Sequence, residues 1–306
     1  MEKTKIVAVV GPTASGKSSL AVRLAKRIDG EIISCDSMQI YRGMDIGTAK
    51  VTAEEADGVP HHLIDVAEPS DPFSCSDYKD LAEKAVNEIV GRGKTPIFCG
   101  GTGLYLDSVL SVSDFSPSVP AGLRAELEKK DAAELWNELK SADPESADAI
   151  HPNNVKRVIR ALEIYYGTGI TKTEWDRRSK ESEGRYDPLI IRLEATDREE
   201  LYSRTDRRVD AMMKAGLVDE CRSLALKPEY TAAQAIGYKE IYAYLDGSLT
   251  LDEAVELLKK NTRNYAKRQI TWFKRYKDAL PVGIGEADSP EIFENIVNIV
   301  KKHLSY

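Results

Sequence analysis

Short apolar runs alternate with helical patterns over the first hundred residues of the chain. Residues 5–10, 32–35 and 95–99 are short apolar runs bounded by turn-forming residues, which is typical of buried strands. Between them, residues 17–28 and 76–91 place apolar side chains at helical spacing. Strands that alternate with helices predict an α/β fold, in which a parallel sheet carries helices on both faces.

A change of pattern follows this alternation. Residues 113–120 are rich in Ser and Pro, which interrupt regular structure, and residues 121–182 show helical spacing without a convincing strand. Strand character returns at residues 188–194, and a late short strand is expected near Val282. A helical stretch between two parts of an α/β pattern predicts an inserted helical domain.

These patterns predict two domains. The core would comprise residues 1–114 and 186–306 and contain a P-loop-type parallel sheet flanked by helices. The inserted all-helical domain would comprise residues 115–185. A chain of 306 residues is long enough to bury the apolar surface that this arrangement needs.

Composition narrows the class of protein. No apolar run approaches the roughly 20 residues that span a bilayer, and the N-terminus lacks the apolar segment of a signal peptide. We therefore expect a cytoplasmic protein with no membrane partner. The four cysteines are scattered without a C-x-x-C pair, which favours reduced thiols over a zinc site.

The charge distribution leaves two alternatives open. The net charge of −7 gives no sign of a nucleic-acid partner. However, residues 257–277 carry eight Lys or Arg and no Asp or Glu. Such a segment suits either a solvated helix face or a phosphate-binding surface. Its aromatic residues are more often core than stacking platforms for bases.

A glycine-rich loop follows the first predicted strand. It matches G-x-x-x-x-G-K-[ST] and opens the first helix, the context in which this motif binds phosphate. Backbone N–H groups and the positive end of the helix dipole attract an anion, Lys17 adds a charge, and the Ser18 hydroxyl can bind Mg²⁺. We therefore predict a diphosphate site with Ser18 as a metal ligand. This phosphate loop consists of Gly11, Pro12, Thr13, Ala14, Ser15, Gly16, Lys17 and Ser18.

The third predicted strand lacks an expected acid. Proteins that transfer the terminal phosphate of ATP or GTP usually carry an apolar strand that ends in a metal-binding Asp. Here residues 96–99 are followed by Gly100, Gly101, Thr102 and Gly103. The sequence therefore favours other chemistry on the same diphosphate cradle, although the four residues also suit a tight turn.

Asp36 directly follows the second predicted strand. The carboxyl ends of parallel strands meet at one edge of a sheet, so Asp36 is expected near the phosphate loop. A carboxylate there can be a metal ligand, a general base or the cap of a following helix. The residues alone leave these three roles open.

Six further blocks make the chain recognisable. In order, they closely resemble the tRNA dimethylallyltransferases, also called tRNA isopentenyltransferases, and they span nearly the whole chain. The bacterial form matches best, because the zinc finger of eukaryotic relatives is missing from the C-terminal part. The blocks are residues 36–50 (DSMQIYRGMDIGTAK), 60–65 (PHHLID), 100–105 (GGTGLY), 151–163 (HPNNVKRVIRALE), 236–240 (IGYKE) and 266–273 (AKRQITWF).

The resemblance implies a reaction. Family members transfer a dimethylallyl group from dimethylallyl diphosphate to the N6 amine of an adenosine adjacent to the anticodon in tRNA, and diphosphate leaves. The expected partners are thus dimethylallyl diphosphate and the tRNA anticodon stem-loop, Mg²⁺ is the expected cofactor, and we expect a monomer. The implied catalytic residues are Asp36 as general base with Lys17, Thr13 and Arg208, and Arg204 is the alternative to Arg208.

The resemblance also implies contacts to tRNA. The target base must leave the loop stack to enter a protein cleft, and residues after the second and third strands are placed to receive it. Arginines and lysines of the insertion would hold the stem-loop, although Arg124 equally suits an ordinary surface position. The implied tRNA-binding residues are Asp36, Ser37, Met38, Gln39, Thr102, Arg124, Lys156, Arg157 and Arg160.

Two other functions remain as alternatives. An adenylate isopentenyltransferase would use the same chemistry on a free nucleotide, but the helical insertion and the basic segment favour tRNA. A P-loop nucleotide kinase or NTPase would use the phosphate loop for ATP. His61 and His62 are not expected to bind metal, because no other ligand pattern accompanies them.

Overall fold

The structure is a computed structural model. It describes residues 3–110, 120, 122–181 and 184–305. In this part of the chain, no helix combines the length and apolar character needed to cross a membrane.

A six-stranded sheet forms the centre of the core. Its strands are β1 (Thr4–Val10), β2 (Gly30–Ser34), β3 (His61–His62), β4 (Thr95–Gly100), β5 (Tyr186–Glu194) and β6 (Leu280–Gly283). They have the spatial order β3-β2-β4-β1-β5-β6, and every neighbouring pair is parallel. The prediction of an α/β fold with a parallel sheet is confirmed, and β3 is a strand that the apolar pattern did not predict.

Fourteen helices accompany the sheet in the described part of the chain, besides two short 3₁₀ turns at Ala232–Gln234 and Glu286–Asp288. The helices are α1 (Lys17–Ile28), α2 (Ala53–Ala56), α3 (Cys75–Gly91), α4 (Gly103–Leu110), α5 (Leu123–Leu127), α6 (Ala132–Ala142), α7 (Pro144–Ala149), α8 (Val155–Thr168), α9 (Lys172–Glu181), α10 (Arg198–Lys214), α11 (Leu217–Leu224), α12 (Tyr238–Leu245), α13 (Leu251–Phe273) and α14 (Pro290–Leu304).

The register of three central strands brings their carboxyl ends together. Val10 of β1 lies opposite Gly100 of β4, and Ser34 of β2 lies opposite Cys99. Because the three strands are parallel neighbours, the loops that follow them emerge at the same edge of the sheet. This edge is where the sequence places the phosphate loop and Asp36.

Buried apolar side chains fix the sheet in the core. Val7 and Val9 of β1 pack in one cluster with Leu20 and Leu24 of α1 and with Val297 of α14. Alternate residues of a strand point to opposite faces, so the same sheet buries a second set of side chains against other helices. A sheet covered on both faces by helices is rigid, and it can hold the loops at its edge in fixed positions.

The chain divides into two compact units. The first comprises Met1–Val109 and Tyr186–Tyr306, and the second comprises Leu110–Arg185. The second unit contains α5 to α9 and has its own core, which includes Leu135, Leu139 and Leu162. The boundary predicted between residues 114 and 115 lies outside the described residues.

Candidate active site

The phosphate loop joins β1 to α1 through two special glycines. A side chain at Gly11 would lie 2.9 Å from Leu193, and the φ angle of this glycine is +152°. Gly16 caps α1 with a φ angle of +87°, which side-chain-bearing residues adopt at a cost. The loop therefore turns tightly enough for its N–H groups to converge at the start of α1.

Lys17 is the buried cation of the loop. Its Nζ donates a hydrogen bond of 2.7 Å to the Pro12 carbonyl oxygen. Burial, which costs the charged ammonium its hydration, and to a lesser extent nearby Arg208 together lower the pKa of Lys17 to about 8. A bound diphosphate would place negative charge next to this buried ammonium and so stabilise its charged form.

Asp36 begins a tight turn after β2. Its Oδ1 accepts a hydrogen bond of 2.9 Å from the Met38 N–H. The neighbouring Ser37 N–H donates to the Thr102 hydroxyl at 3.1 Å, and the Thr102 N–H donates to the Cys35 carbonyl at 3.0 Å. These bonds tie the loop after β2 to the turn after β4, so the direction of Asp36 is fixed by both.

A cavity of about 380 Å³ joins the phosphate loop to Asp36. The rest of its wall comes from residues 47–49, the end of β4 with the turn that follows it, α10, the segment around the 3₁₀ turn at Ala232–Gln234, and α13. Met212 and Leu258 form an apolar side. The structure thus brings eight of the site residues that the sequence singled out to one cavity. Those that line this cavity are Thr13, Lys17, Ser18, Asp36, Ser37, Met38, Gln39 and Arg208.

Other predicted residues lie around this cavity. Ala14, Ser15 and Gly16 line a second cavity of about 530 Å³, which shares Lys17, Ser18, Ala49 and Arg208 with the first. The Ser15 side chain is 4% exposed and its hydroxyl has no hydrogen-bond partner among the described residues. Thr102 supports the turn at Ser37 and is not among the residues that line the first cavity.

Arg208 is the arginine of α10 that reaches the cavity. Its guanidinium donates to the Thr48 carbonyl at 3.1 Å, and burial lowers its pKa. One turn earlier, Arg204 instead pairs with Glu200 at 3.0 Å. Of these two arginines, Arg208 is therefore the one that lines the cavity.

The loop at residues 45–49 is held by a carboxylate that sequence reasoning missed. Glu220 of α11 accepts hydrogen bonds of 2.7–3.0 Å from the N–H groups of Asp45, Ile46 and Gly47, and one of 2.6 Å from the Tyr238 hydroxyl. Glu220 thereby fixes the loop that presents the Thr48 carbonyl to Arg208.

Gln39 has hydrogen bonds within the same wall. Its Nε2 lies 3.4 Å from the Thr48 carbonyl oxygen and 3.3 Å from that of Ala49, and its Oε1 accepts from the Ser34 hydroxyl at 3.1 Å. The Gln39 side-chain oxygen keeps a second lone pair, which can accept one more hydrogen bond. The amide is therefore held in one orientation at the cavity wall.

Gln269 is a second residue that sequence reasoning missed. Its Oε1 accepts from the Thr13 N–H at 2.7 Å, and its Nε2 donates to the Gly101 carbonyl at 3.0 Å. The signal that could have revealed it is the buried face of α13, where Ala266, Gln269 and Phe273 recur at helical spacing. A glutamine on an otherwise apolar face is expected to have buried partners.

The aromatic residues of the basic segment have different environments. Tyr265 lines the cavity, and burial raises the pKa of its hydroxyl, so the phenol is neutral. Phe273 is core, with 1% exposure, and the Tyr276 hydroxyl donates to Asp107. Trp272 packs so closely on the turn after β4 that a side chain at Gly103 would overlap it.

His61 and His62 hold the edge of the sheet. His62 lies 2.7 Å from the buried Glu31, and His61 lies 2.9 Å from the Val59 carbonyl. No group of three or more His, Cys, Asp or Glu side chains suited to a metal occurs among the described residues. Both histidines therefore have local partners that explain their position.

The predicted RNA contacts of the insertion belong to the second unit. Glu163 is 3% exposed there and accepts ion pairs from Arg160 at 3.3 Å and from Arg124 at 3.6 Å. Lys156 and Arg157 are exposed on α8, and no ion pair is found for them in the described part of the chain. The four cations thus differ, since two neutralise a buried carboxylate and two face solvent.

Comparison with known proteins assigns the chain to a family. The family model described as IPP transferase matches residues 39–276. The chain belongs to the IPP transferase family. The resemblance inferred from six sequence blocks is therefore confirmed. The match begins at Gln39 and therefore does not include the phosphate loop or Asp36.

Whole-length IPP transferase relatives include bacterial proteins. The chain is 48% identical to the tRNA dimethylallyltransferase of Anoxybacillus flavithermus over 303 residues, which cover 98% of this chain and 96% of that protein. It is 48% identical to the protein of the same name from Bacillus subtilis over 306 residues, covering 96% and 97%.

Solved structures agree with the family. A crystal structure of a full-length tRNA isopentenylpyrophosphate transferase from Bacillus halodurans has a TM-score of 0.76 and 45% identity, covering 99% of this chain and 97% of that chain. A eukaryotic dimethylallyltransferase described as acting on tRNA has a TM-score of 0.85 and 31% identity, covering 96% and 78%. This chain therefore shares its fold with both the bacterial and the eukaryotic protein.

Proposed function

We propose that the chain transfers a dimethylallyl group from dimethylallyl diphosphate to the N6 amine of an adenosine adjacent to the anticodon in tRNA. The enzyme is then a prenyltransferase that releases diphosphate. The observation that carries the proposal is the single cavity lined by both the phosphate loop and Asp36. In this proposal the chain acts on tRNA as a monomer in the cytoplasm.

The phosphate end of the cavity suits a leaving group. The N–H groups at the start of α1, Lys17 and Arg208 would stabilise the negative charge that develops on diphosphate as the C–O bond breaks. Both cations are buried and lose hydration, as the lowered pKa values of Lys17 and Arg208 indicate. Thr13 lines the same cavity and is the fourth proposed catalytic residue, with Lys17, Arg208 and Asp36.

A magnesium ion is part of the proposal. The Ser18 hydroxyl lines the cavity beside Lys17, and such an oxygen donor suits Mg²⁺. Mg²⁺ commonly uses few protein ligands, and substrate phosphates and water complete its shell. When bound, it would neutralise charge on the diphosphate.

The chemical step needs a proton acceptor. The lone pair of the adenine N6 amine forms a bond to the allylic C1, while the C1–O bond breaks and its electron pair leaves with diphosphate. The excess proton on the nitrogen then passes to the Asp36 carboxylate, which lines the cavity and is fixed by its bond from Met38. This role is the base alternative for Asp36 among the three that the sequence left open.

The base would be recognised by the loop after β2. The Gln39 side-chain amide is held in place, and its oxygen can accept a hydrogen bond from a purine edge. Met38 offers an apolar surface in the same cavity. Ser37 follows Asp36 and is bonded to Thr102 through its N–H. Thr102 then acts through the turn at Ser37. A flipped adenine would thus meet a polar edge and an apolar face in one wall.

The insertion would hold the anticodon stem-loop. The exposed Lys156 and Arg157 of α8 are suited to phosphate contacts. Arg124 and Arg160 are also proposed contacts, although each pairs with the buried Glu163. We therefore expect Lys156 and Arg157 to contribute more to tRNA affinity.

The test is incubation with dimethylallyl diphosphate, Mg²⁺ and unmodified tRNA, followed by mass spectrometry of the anticodon-loop fragment. A mass gain of one dimethylallyl group on the adenosine next to the anticodon is expected, together with release of diphosphate. A second sample with AMP in place of tRNA measures transfer to free nucleotide. Transfer to AMP alone, or ATP turnover without prenyl transfer, would overturn the proposal.

A further inference from the structure

Residues 44–50 form a loop of turns beside the active-site cavity, and residues 47–49 of this loop line the cavity. We call it the wall loop. It belongs to no helix and no strand of the sheet. A segment without such a ladder of backbone hydrogen bonds depends on other groups to bond its N–H and C=O groups. The groups that bond the wall loop therefore set the shape of this side of the cavity.

Two consecutive carbonyl groups of the wall loop bond the side chains that are proposed to serve the two substrates. The Arg208 guanidinium donates to the Thr48 carbonyl at 3.1 Å. The Gln39 amide nitrogen lies 3.4 Å from the same oxygen and 3.3 Å from the Ala49 carbonyl oxygen. Arg208 is proposed for the diphosphate and Gln39 for the adenine. A displacement of the wall loop would therefore disturb one side chain for each substrate.

Glu220 of α11 bonds the opposite edge of the wall loop. Its Oε2 accepts from the N–H groups of Asp45 and Ile46 at 3.0 and 2.7 Å. Its Oε1 accepts from the Gly47 N–H at 3.0 Å and from the Tyr238 hydroxyl at 2.6 Å. A carboxylate has about four positions for accepted hydrogen bonds, so these bonds use its whole capacity. Glu220 is not among the residues that line the cavity, so it can act on a substrate only through the loop.

Tyr238 fixes the wall loop and Glu220 relative to each other. Its ring is buried and lies so close to Gly47 that a Cβ atom there would be 2.4 Å from the ring. Burial and the neighbouring Glu220 carboxylate raise the pKa of the Tyr238 hydroxyl, so the phenol stays neutral and can donate. Gly47, Tyr238 and Glu220 thus each contact the other two, directly before the Thr48 carbonyl in the chain.

We propose that Glu220 is a positioning residue of the transfer reaction, which aligns Arg208 with the diphosphate and Gln39 with the adenine by holding the wall loop. The inference rests on the proposed function for the identity of these two substrates. An arginine that is already held costs less entropy to immobilise when its ligand binds. In addition, a displacement of about 1 Å at a reacting centre can lower a rate about 100-fold. Glu220 therefore affects both substrates and touches neither.

The test compares Glu220→Gln and Tyr238→Phe with the matched control Tyr242→Phe. Glutamine keeps one oxygen for the wall loop but places an NH₂ group against a donor, and phenylalanine at position 238 removes only the hydroxyl. Tyr242 lies on the same helix, and its hydroxyl also joins α12 to α11, because it donates to the Cys221 carbonyl at 3.1 Å. Its other partner is the Leu226 N–H. The control therefore removes a hydrogen bond between the same helices without releasing the wall loop.

The expected result is a loss of transfer in the two variants that release the wall loop. For Glu220→Gln, kcat/KM should fall at least about tenfold for dimethylallyl diphosphate and for tRNA, and for Tyr238→Phe about threefold or more. The affinity for inorganic diphosphate, measured by isothermal titration, should fall in parallel. Tyr242→Phe should stay within about twofold of wild type in each quantity. Urea denaturation establishes that every variant is folded under the assay conditions.

Two double-mutant cycles separate positioning from a general loss of packing. If Glu220 acts through Arg208, Glu220→Gln should change the affinity for inorganic diphosphate less than about twofold when Arg208→Gln is already present. If it acts through Gln39, its cost in kcat/KM for tRNA should shrink in the same way in the Gln39→Ala background. Full, additive costs in both backgrounds would overturn the inference, because independent effects on stability add.

The remaining outcomes distinguish this inference from the proposed function. If the wild type modifies tRNA and Glu220→Gln behaves like Tyr242→Phe, the positioning role is wrong and the proposed function stands. If Tyr242→Phe loses as much activity as Glu220→Gln, helix packing explains both losses and the positioning role is again wrong. If the wild type transfers no dimethylallyl group, but its diphosphate affinity depends on Glu220 through Arg208, the proposed reaction is wrong and the positioning of Arg208 is supported.

Discussion

The Gln269 side chain bonds the Thr13 backbone, so a helix near the end of the chain holds the phosphate loop near its beginning. The Thr13 N–H to Gln269 Oε1 distance is 2.7 Å, and the same amide donates to Gly101 at 3.0 Å. One buried glutamine thus sets the distance between the loops after β1 and β4. It also occupies one backbone N–H of the loop, which leaves the other amides to bind phosphate.

Gln269→Ala is expected to weaken diphosphate binding about tenfold. The substitution leaves the Thr13 N–H and the Gly101 carbonyl without their partner, and a buried group that loses its partner costs about 1–3 kcal/mol. Isothermal titration with inorganic diphosphate measures the change. Asn264→Ala, on the same helix but outside the cavity lining, is the control. Equal affinities for the two variants would contradict a positioning role for Gln269.

Diphosphate affinity is expected to fall as pH rises through about 8, the lowered pKa of Lys17. Below this pH the ammonium is charged in the free protein, whereas above it a proton must be taken up on binding. Each pH unit above the pKa therefore lowers affinity by up to about tenfold. Titration at several pH values measures this effect, and Lys17→Met should remove the pH dependence that exceeds that of diphosphate itself.

Asp36→Asn is expected to lower the transfer rate by about 10² to 10⁴, the typical contribution of a general base. Asparagine keeps the side-chain oxygen that accepts from Met38, so the turn is retained. Binding of tRNA and of diphosphate should stay within about threefold of wild type. Single-turnover kinetics gives the rate, and near-normal turnover would remove Asp36 from the base role.

Arg208→Gln and Arg204→Gln form a matched pair on one helix. Arg208 lines the cavity and Arg204 pairs with Glu200 outside it. We expect kcat/KM for dimethylallyl diphosphate to fall at least about 100-fold in the first variant, because a buried charge at the leaving group is lost. The second should stay within about threefold. Similar losses in both would show that the cavity assignment of Arg208 is wrong.

Glu220→Ala is expected to lower the free energy of unfolding by about 2–4 kcal/mol. The three N–H groups of residues 45–47 and the Tyr238 hydroxyl all lose their acceptor. Urea denaturation measures the change, and faster amide exchange at residues 45–47 should accompany it. Asp219→Ala removes an adjacent exposed carboxylate whose pair with Arg222 contributes at most about 1 kcal/mol.

Most of the fold was predictable from the apolar runs of the strands and from the phosphate-loop motif. The phosphate loop was predictable because its pattern lies between an apolar strand and a helix, and β5 because residues 188–194 are an apolar run. β3 was not, because two histidines pairing through their backbone leave no apolar periodicity. The position of Asp36 directly after a strand predicted only that it lies near the phosphate loop. Its role as general base came from the family resemblance and remains a proposal.

The residues that sequence analysis missed share a cause. Gln269 and Glu220 bond backbone atoms about 170 or more residues away in the chain, as with the Thr13 and Gly47 N–H groups. Such pairs leave no local pattern, since the side chain recognises a backbone amide and not a residue type. Helical spacing alone left a similar question open, because it places Arg204 and Arg208 on one face without showing which one reaches the cavity. The family resemblance favoured Arg208.

The turn after β4 limits which reactions this scaffold can acquire. A Cβ atom at Gly100 would lie 2.1 Å from the Cys35 carbonyl oxygen, and one at Gly101 would lie 2.0 Å from Gln269. These are the positions where a phosphohydrolase of similar architecture would carry its metal-binding acid. An acid at position 100 would shift the backbone at Cys35, and one at position 101 would displace the Gln269 side chain that bonds the phosphate loop, so the space at this turn disfavours a carboxylate.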